Sequence, residues 1–240
     1  VLQRGKPMAI WGTADPKELV TVTFKKKGYQ TTADEKGQWR ITLPATKAGG
    51  PYALTVNEQT INDVMIGDVW LCSGQSNIDV DIERVYPQYP DEIDAYSNPN
   101  IRLFRVQTMT NTHGHSKDVK ATEWRKLDKK NAWKFSAVGY FLAKRMYEQT
   151  GVPQGIICNS LGGTPIEAWI EADSLRKDFP HYVAQTAFYQ DDEMVAAWAK
   201  ANQLSSNRWN KLLDDNDPGL KEGWNTLNYN DKGWRKVNQY

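Results

Sequence analysis

The residues best suited to chemistry in this sequence form a polar run, Ser-Gly-Gln-Ser-Asn, that directly follows an apolar segment. That segment, Val69 to Cys72, is typical of a strand buried on both faces of a parallel sheet. Gly74 then favours a sharp turn, and the next residues look like the start of a helix. A serine at such a turn, here Ser76, has an exposed hydroxyl beside backbone N–H groups. Those groups can stabilise an oxyanion, so the pattern predicts a nucleophile for acyl transfer.

A second segment repeats this order of strand and polar turn. An apolar run from Gly155 to Cys158 predicts another buried strand, and Asn159, Ser160 and Leu161 follow it. The sequence then continues as Gly-Gly-Thr-Pro-Ile-Glu-Ala-Trp through residues 162–169. Ligands of open parallel sheets bind beyond the carboxyl ends of the strands, so both polar turns are expected at one edge.

The two segments together resemble the SGNH hydrolase superfamily, and more narrowly its carbohydrate acetylesterases, including the sialate O-acetylesterases. That family has its nucleophile in Gly-Gln-Ser-Asn and a second block with Gly-Gly-Thr and Ile-Glu-x-Trp. Ile78 departs from the family pattern, which usually has Met after the Asn. The resemblance implies an α/β fold, a parallel sheet with flanking helices, preceded by a small all-β sandwich module. It also implies a serine esterase that needs no cofactor or metal.

Site residues follow from this resemblance. Ser76 is the expected nucleophile, and its own N–H together with that of Gly163 (or Gly162) is expected to bind the oxyanion. A turn serine that caps a helix and a tight glycine turn are the plainer interpretations of the same residues. The residues expected to support the site are Gln75, Asn77, Asn159, Thr164, Glu167 and Trp169.

The general base is not assigned by the sequence. In the family, a Gln-Gly-Glu-like block and a late Asp-x-x-His supply a donor, the base and its orienting carboxylate. No Gln-Gly-Glu occurs here, and Asp178 with His181 matches Asp-x-x-His but follows the second block too closely. We therefore expect the base beyond Tyr240, in a missing C-terminal portion of the same enzyme. The other histidines, His113 and His115, are interpreted as loop residues, since no third ligand with metal-site spacing is visible.

Composition excludes several classes of function. The 240 residues carry a net charge of +1 without a basic stripe, which argues against nucleic-acid binding. No apolar stretch is long enough to span a membrane. The ten tryptophans suit sugar rings, although core packing is the commoner use of each. Cys72 and Cys158 end neighbouring predicted strands and are interpreted as buried free thiols, with a disulfide as the alternative for an exported protein.

Three regions are predicted. Residues 1–62 have short strands separated by turn signals, which is typical of a small sandwich. Residues 63–206 form the first part of the SGNH-like domain, with a helix over 137–150 that begins at Ser136 and has Val138, Phe141, Leu142 and Met146 on its apolar face. Residues 207–240 resemble the opening of an inserted jelly-roll module of the galactose-binding type.

The sequence therefore predicts a secreted or periplasmic carbohydrate O-acetylesterase, of which a sialate O-acetylesterase is the leading form. Acetylxylan or another acetylated polysaccharide is an alternative substrate, because the motifs describe acyl transfer and not sugar identity. A non-catalytic carbohydrate-binding protein is the alternative from a different class, since the triad is incomplete. The only partner expected besides the missing portion is the acetylated carbohydrate.

Overall fold

The protein is described by a computed structural model that covers residues 1–109, 111–116, 118–120 and 122–237. Contacts divide it into two compact units. The first consists of Val1–Asn111 and His115–Glu171, and the second of Thr112–Gly114 and Ala172–Tyr240. Both sequence motifs lie in the first unit. No helix within the described residues is both long and apolar enough to cross a bilayer.

The first unit contains the strands, nearly all of which belong to one mixed sheet. The strands are β1 (Leu2–Gln3), β2 (Met8–Thr13), β3 (Leu19–Phe24), β4 (Lys27–Thr32), β5 (Gln38–Leu43), β6 (Gly49–Val56), β7 (Gln59–Gly74), β8 (Asn98–Arg105), β9 (Arg125–Leu127) and β10 (Gln154–Ser160). The order across the large sheet is β4-β3-β6-β7-β10-β8-β9, and β1 also pairs with β7. Strands β2 and β5 form a separate antiparallel pair.

Helices are short in the first unit, with the exception of α5, and the second unit has both short helices and the longest described one, α8. They are α1 (Ser76–Asp79), α2 (Ile82–Val85), α3 (Pro90–Asp94), α4 (Lys129–Ala132), α5 (Ala137–Thr150), α6 (Ala172–Arg176), α7 (Pro180–Phe188), α8 (Asp192–Asn216) and α9 (Pro218–Glu222). Short 3-10 helices cover Tyr86–Gln88 and Ile166–Trp169.

The N-terminal strands form a two-layer arrangement around their own core. Met8 and Leu43 of the small sheet pack with Val22 and Phe24 of β3, with Leu54 and with other buried side chains. The short strands predicted within residues 1–62 are present.

Strand β7 joins this N-terminal part to the rest of the first unit. Its first half pairs antiparallel with β6, whereas its second half pairs parallel with β10, from Asp68 opposite Gln154 to Gly74 opposite Ser160. Strand β10 is also parallel to β8. The α/β fold with parallel strands and flanking helices is thereby confirmed.

The two faces of the parallel strands differ. Cys72, Leu103 and Ile156 belong to the main core, on the side where α5 packs. Leu71 points to the opposite face and is 67% exposed. The prediction that Val69 to Cys72 is buried on both faces is therefore wrong for Leu71, because α5 packs on the other side of the sheet.

Helix α5 has the predicted ends. The Ser136 side chain accepts a hydrogen bond from the Gly139 N–H, and Gly151 ends the helix with φ +64.

The predicted apolar face of α5 is confirmed at Phe141 and Leu142, which pack against the main core, but it is wrong at Val138, which is exposed. Tyr140 and Ala143 are buried on this helix as well. Gly139 permits the close approach to β10, because a Cβ at Gly139 would lie 3.0 Å from Ile156.

The second unit consists mainly of helices with little buried surface. Leu175 and Gly219 are its buried positions among the described residues. Helix α8 crosses the predicted boundary at 206/207, and residues 207–237 contain helix and turns without a strand. Residues 238–240 of the predicted third region lie outside the described residues. The three predicted regions, and the two boundaries between them, stay predictions.

Candidate functional site

Ser76 lies where β7 turns into α1. Gly74 ends the strand with φ +147, a conformation that side-chain-bearing residues rarely adopt, and its Cβ position is closed off by Ile78 at 3.2 Å. Gln75 precedes the helix and Ser76 is its first residue. The strand-turn-helix arrangement expected from the sequence is thus present, and Ser76 is exposed.

The neighbour Gln75 holds both polar groups of Ser76. Its side-chain oxygen accepts a 2.7 Å hydrogen bond from the Ser76 backbone N–H and a second hydrogen bond from the Ser76 hydroxyl. The amide of Gln75 donates in turn to the Thr164 carbonyl, at 3.0 Å. An amide oxygen is too weak a base to remove the hydroxyl proton, so Gln75 orients the serine and a separate base is needed for attack.

The loop after β10 lies against the serine. A Cβ at Gly162 would be 3.8 Å from the Cα of Ser76, and the Leu161 N–H donates to the Gly74 carbonyl at 3.2 Å. Gly163 has φ +82, with open space where a side chain would start. The structure thus brings the two sequence motifs together. No acceptor within the described residues takes the Gly163 N–H.

The remaining supporting residues have different surroundings. The Trp169 indole N–H donates to the Thr164 hydroxyl, which itself donates to the Leu161 carbonyl, both at 2.8 Å. Glu167 lies half-buried in the 3-10 helix that contains Trp169, and Asn77 is exposed on α1. Their predicted supporting roles stay predictions.

A carboxylate that the sequence analysis did not single out lies at the centre of this arrangement. Asp79 accepts hydrogen bonds from the Ser160 hydroxyl at 2.9 Å and from the Gly162 N–H at 3.2 Å, and it pairs with Arg105 at 2.5 Å. Burial would raise the pKa of Asp79, but the two hydrogen bonds and the Arg105 charge outweigh it and hold the pKa below its ordinary value. The carboxylate is therefore ionised at neutral pH.

A cavity of about 590 Å³ opens beside the second motif. Asn159, Leu161, Thr164 and Trp169 line one side of it, and residues from the segment after β8 line the other. Ser76 is not among its lining residues, although Thr164 connects it to Gln75. The residues contributed by the segment after β8 are Val106, Gln107, Thr108, Met109, Ser116, Asp118 and Val119.

The three histidines have different surroundings. His181 lies in α7 of the second unit, where its ring stacks on Tyr182 at 4.2 Å, and no hydrogen bond joins it to Asp178. His113 pairs with Asp192 at 3.1 Å, also in the second unit. His115 is exposed.

The cysteines are neighbours, as expected. Cys72 on β7 and Cys158 on β10 lie opposite each other in the parallel register, and both are buried and free. Burial, with a smaller effect from Cys158, raises the pKa of the Cys72 thiol. Within the described ranges no cluster of three or more His, Cys, Asp or Glu side chains could hold a metal ion.

Local sequence patterns do not reveal Asp79, Arg105 or the cavity-lining segment, because the residues that meet there are far apart along the chain. Asp79 is 83 residues from Gly162 along the chain, and Arg105 is 26 residues from Asp79. The sequence does contain the two charged residues at suggestive places: an acidic residue lies three positions after the serine, and an arginine ends a buried strand. Their pairing becomes visible only when the strands are in register.

Comparison with known proteins gives the family. The family described as "Carbohydrate esterase, sialic acid-specific acetylesterase" matches residues 66–204, more than half of the chain. The curated sialate O-acetylesterases of Pongo abelii and Homo sapiens are each 29% identical over 188 residues, which is 70% of this chain and 36% of theirs. The chain thus spans about a third of the length of these relatives.

A solved structure agrees with the sequence comparison. A carbohydrate acetylesterase from Xanthomonas citri superposes with a TM-score of 0.69 and 38% sequence identity, over 74% of this chain and 41% of that one. Both sequence motifs fall within the region of the family match. The chain therefore belongs to the sialic acid-specific acetylesterase family of carbohydrate esterases.

Proposed function

We propose that the protein is a carbohydrate O-acetylesterase in which Ser76 is the nucleophile. The observation that carries the proposal is the contact between the two motifs: Ser76 stands at an exposed turn with the Gly162–Gly163 loop directly against it. An acyl-transfer site requires this combination of a hydroxyl and neighbouring backbone donors. Membership of a carbohydrate esterase family supports the same chemistry.

In the proposed reaction the Ser76 oxygen attacks the acetyl carbonyl carbon as a base takes its proton. The sugar hydroxyl leaves with a proton, and an acetyl-enzyme remains. Water then attacks the acetyl carbon, which releases acetate and returns the proton to Ser76. The base and its orienting carboxylate are not assigned within the described residues. No cofactor takes part.

Sialate is the proposed sugar, because the curated relatives are named sialate O-acetylesterases. Acetylxylan and other acetylated polysaccharides are the alternative, since the relative from Xanthomonas citri is described only as a carbohydrate acetylesterase. A secreted or periplasmic location remains part of the proposal. Acetate release from an O-acetylated sialoside and from acetylxylan, measured side by side, separates the two substrate classes.

The first test is acetate release from an aryl acetate by the full-length natural protein and its Ser76→Ala variant. We expect Ser76→Ala to lose about 1,000-fold or more in kcat, with the melting temperature unchanged, because removing a nucleophile leaves only the residual effect of the oxyanion donors.

The matched control is Ser73→Ala, which removes the same hydroxyl from an exposed position on β7, three residues earlier. Ser73→Ala is expected to keep wild-type activity. Full activity in Ser76→Ala would overturn the assignment. Saturable binding of an acetylated glycan by the wild-type protein, without any turnover, would favour the non-catalytic carbohydrate-binding alternative.

A further inference from the structure

Asp79 connects three elements that meet at the proposed site. It lies on α1, the one-turn helix that begins with Ser76. One carboxylate oxygen accepts from the Ser160 hydroxyl at the end of β10, and the other accepts from the Gly162 N–H in the loop that follows. The helix of the serine and the loop of the glycines are therefore tied to the same side chain.

Arg105 fixes this carboxylate from a third direction. It ends β8 and lies 2.5 Å from Asp79, and its other terminal nitrogen donates to the Lys134 carbonyl at 3.1 Å. The Asp79 side chain is 28% exposed and that of Arg105 is 40% exposed. Partial burial reduces the screening of such a pair by solvent, and a charge-assisted hydrogen bond holds its geometry better than a neutral one.

Some of the backbone N–H groups near Ser76 already donate to a protein acceptor, whereas another does not. The Ser76 N–H donates to Gln75 and the Gly162 N–H donates to Asp79. The Gly163 N–H has no acceptor among the described residues, and the space beside its Cα is open. A substrate carbonyl oxygen at this loop would thus meet the Gly163 donor without displacing a protein acceptor.

We propose that Asp79 is a positioning residue, which holds the Gly162 amide and thereby presents the Gly163 N–H to the carbonyl oxygen of the substrate. The inference rests on the proposed function of Ser76 and goes beyond it, since neither sequence motif contains Asp79. Asp79 acts through the loop and does not touch the reacting atoms. Arg105 keeps the carboxylate in place.

The decisive variant is Asp79→Asn, studied in the full-length natural protein with an aryl acetate. Asparagine keeps the shape, but its amide nitrogen cannot accept a hydrogen bond, so the contacts with Ser160 and Gly162 cannot both be kept as they are, and the charge that Arg105 pairs with is lost. We expect kcat to fall by about 10-fold or more while KM changes by less than about 2-fold, because oxyanion donors act mainly in the transition state.

Two further measurements separate positioning from a general loss of structure. Amide hydrogen exchange should become faster at Gly162 in Asp79→Asn, while the amides of α5 keep their protection. Glu58→Gln removes an exposed carboxylate from the turn between β6 and β7 and should leave kcat, KM and exchange unchanged. If Asp79→Asn does not fold, Ser160→Ala removes one of the same contacts and should lower kcat in the same direction, again with KM nearly constant.

Ser76→Ala is measured in parallel so that the two proposals can fail separately. If Ser76→Ala is as active as the wild type, the proposed function is wrong and the role of Asp79 falls with it. If Ser76→Ala is inactive but folded Asp79→Asn keeps kcat within about 2-fold, only the positioning role is overturned. A rise in KM with constant kcat would also overturn it, since that pattern indicates uniform substrate binding.

Discussion

The carboxylate of Asp79 connects the segments that surround Ser76. It joins the helix of the serine, the glycine loop and the last residue of β8 through contacts of 2.5–3.2 Å. The Gln75 side chain makes a second connection, from Ser76 to the Thr164 carbonyl. Two side chains thus hold the segments that the proposed chemistry requires to be fixed relative to each other.

The lowered pKa of Asp79 also predicts that the stability of the folded protein depends on pH. Its pKa is below the ordinary value in the folded protein, so its contribution to the free energy of unfolding is present above the unfolded-state pKa and is lost as the pH falls through the folded-state pKa. We expect the melting temperature of the wild type to fall in this acidic range. Asp79→Asn should lower the melting temperature at neutral pH and show a shallower decline below about pH 5.

Thermal unfolding between neutral pH and about pH 2 checks this expectation, since the contribution of Asp79 begins to fall near the ordinary pKa of an aspartate and is lost through its lower folded-state pKa. Glu58→Gln serves again as the comparison and should decline as the wild type does. Parallel curves for Asp79→Asn and the wild type would mean that Asp79 has no stabilising interaction that protonation removes.

At the residue scale the sequence predicts Ser76 and the glycines because each motif is local. A serine after a strand and a glycine turn, and two glycines after another strand, can be identified from neighbouring letters alone. Asp79 cannot be identified in this way, because its partners Ser160, Gly162 and Arg105 come from two other strands and their ends. Its importance follows from the parallel register of β7, β10 and β8, which no local pattern contains.

Among the elements, α5 has an unusual buried group. Tyr140 is 1% exposed, and its hydroxyl has no hydrogen-bond partner within the described residues. Burial, with smaller effects from nearby acidic groups and Tyr96, raises the pKa of Tyr140 to about 12. A buried polar group without a partner costs stability, so Tyr140→Phe is expected to raise the free energy of unfolding by about 1 kcal/mol.

Urea unfolding measures this change, and the same helix provides a matched control. The Tyr147 hydroxyl accepts a 2.8 Å hydrogen bond from the Asn100 side chain, so Tyr147→Phe should destabilise the protein. The two substitutions remove the same atom from one helix and are expected to act in opposite directions. Equal destabilisation by both would show that the Tyr140 hydroxyl has a partner in solution.

The same helix shows which part of an element the sequence can define. Ser136 and Gly151 determine its ends through backbone hydrogen bonding and a left-handed conformation, and both effects are local. Its buried face depends on how closely it approaches β10, which Gly139 permits. Val138 satisfies the helical period of apolar residues but is exposed, because Gly139, Tyr140 and Ala143 occupy the buried side of the helix.

For the whole molecule, burial differs sharply between the two units. The first unit has two apolar cores. In the second, α8 has no buried residue, and Trp198 and Trp209 are 50% and 61% exposed. Local stability depends on buried apolar contacts, so we expect the amides of α8 to exchange with solvent at least about 10-fold faster than those of α5 in the 240-residue chain.

Hydrogen exchange followed by mass spectrometry measures both helices in one sample. Peptides from β7 and β10, which are central strands, provide the internal reference for slow exchange. Protection of α8 equal to that of α5 would contradict the expectation and would mean that its apolar side chains are covered in solution.

Strand β7 also restricts how the gene can change in length. Because side chains alternate along a strand, one extra codon between residues 68 and 70, where β7 pairs with β10 in unbroken register, would exchange the two faces of the strand residues that follow. Leu71 would then enter the core in place of Cys72, and the turn at Gly74 would direct Ser76 away from the loop that now contacts it. The first half of β7 already has register shifts against β6, and the exposed turn at Asn57 and Glu58 precedes it, so a change in length there has no such consequence. The spacing from Asp68 to Ser76 is therefore fixed by the pleat of a single strand.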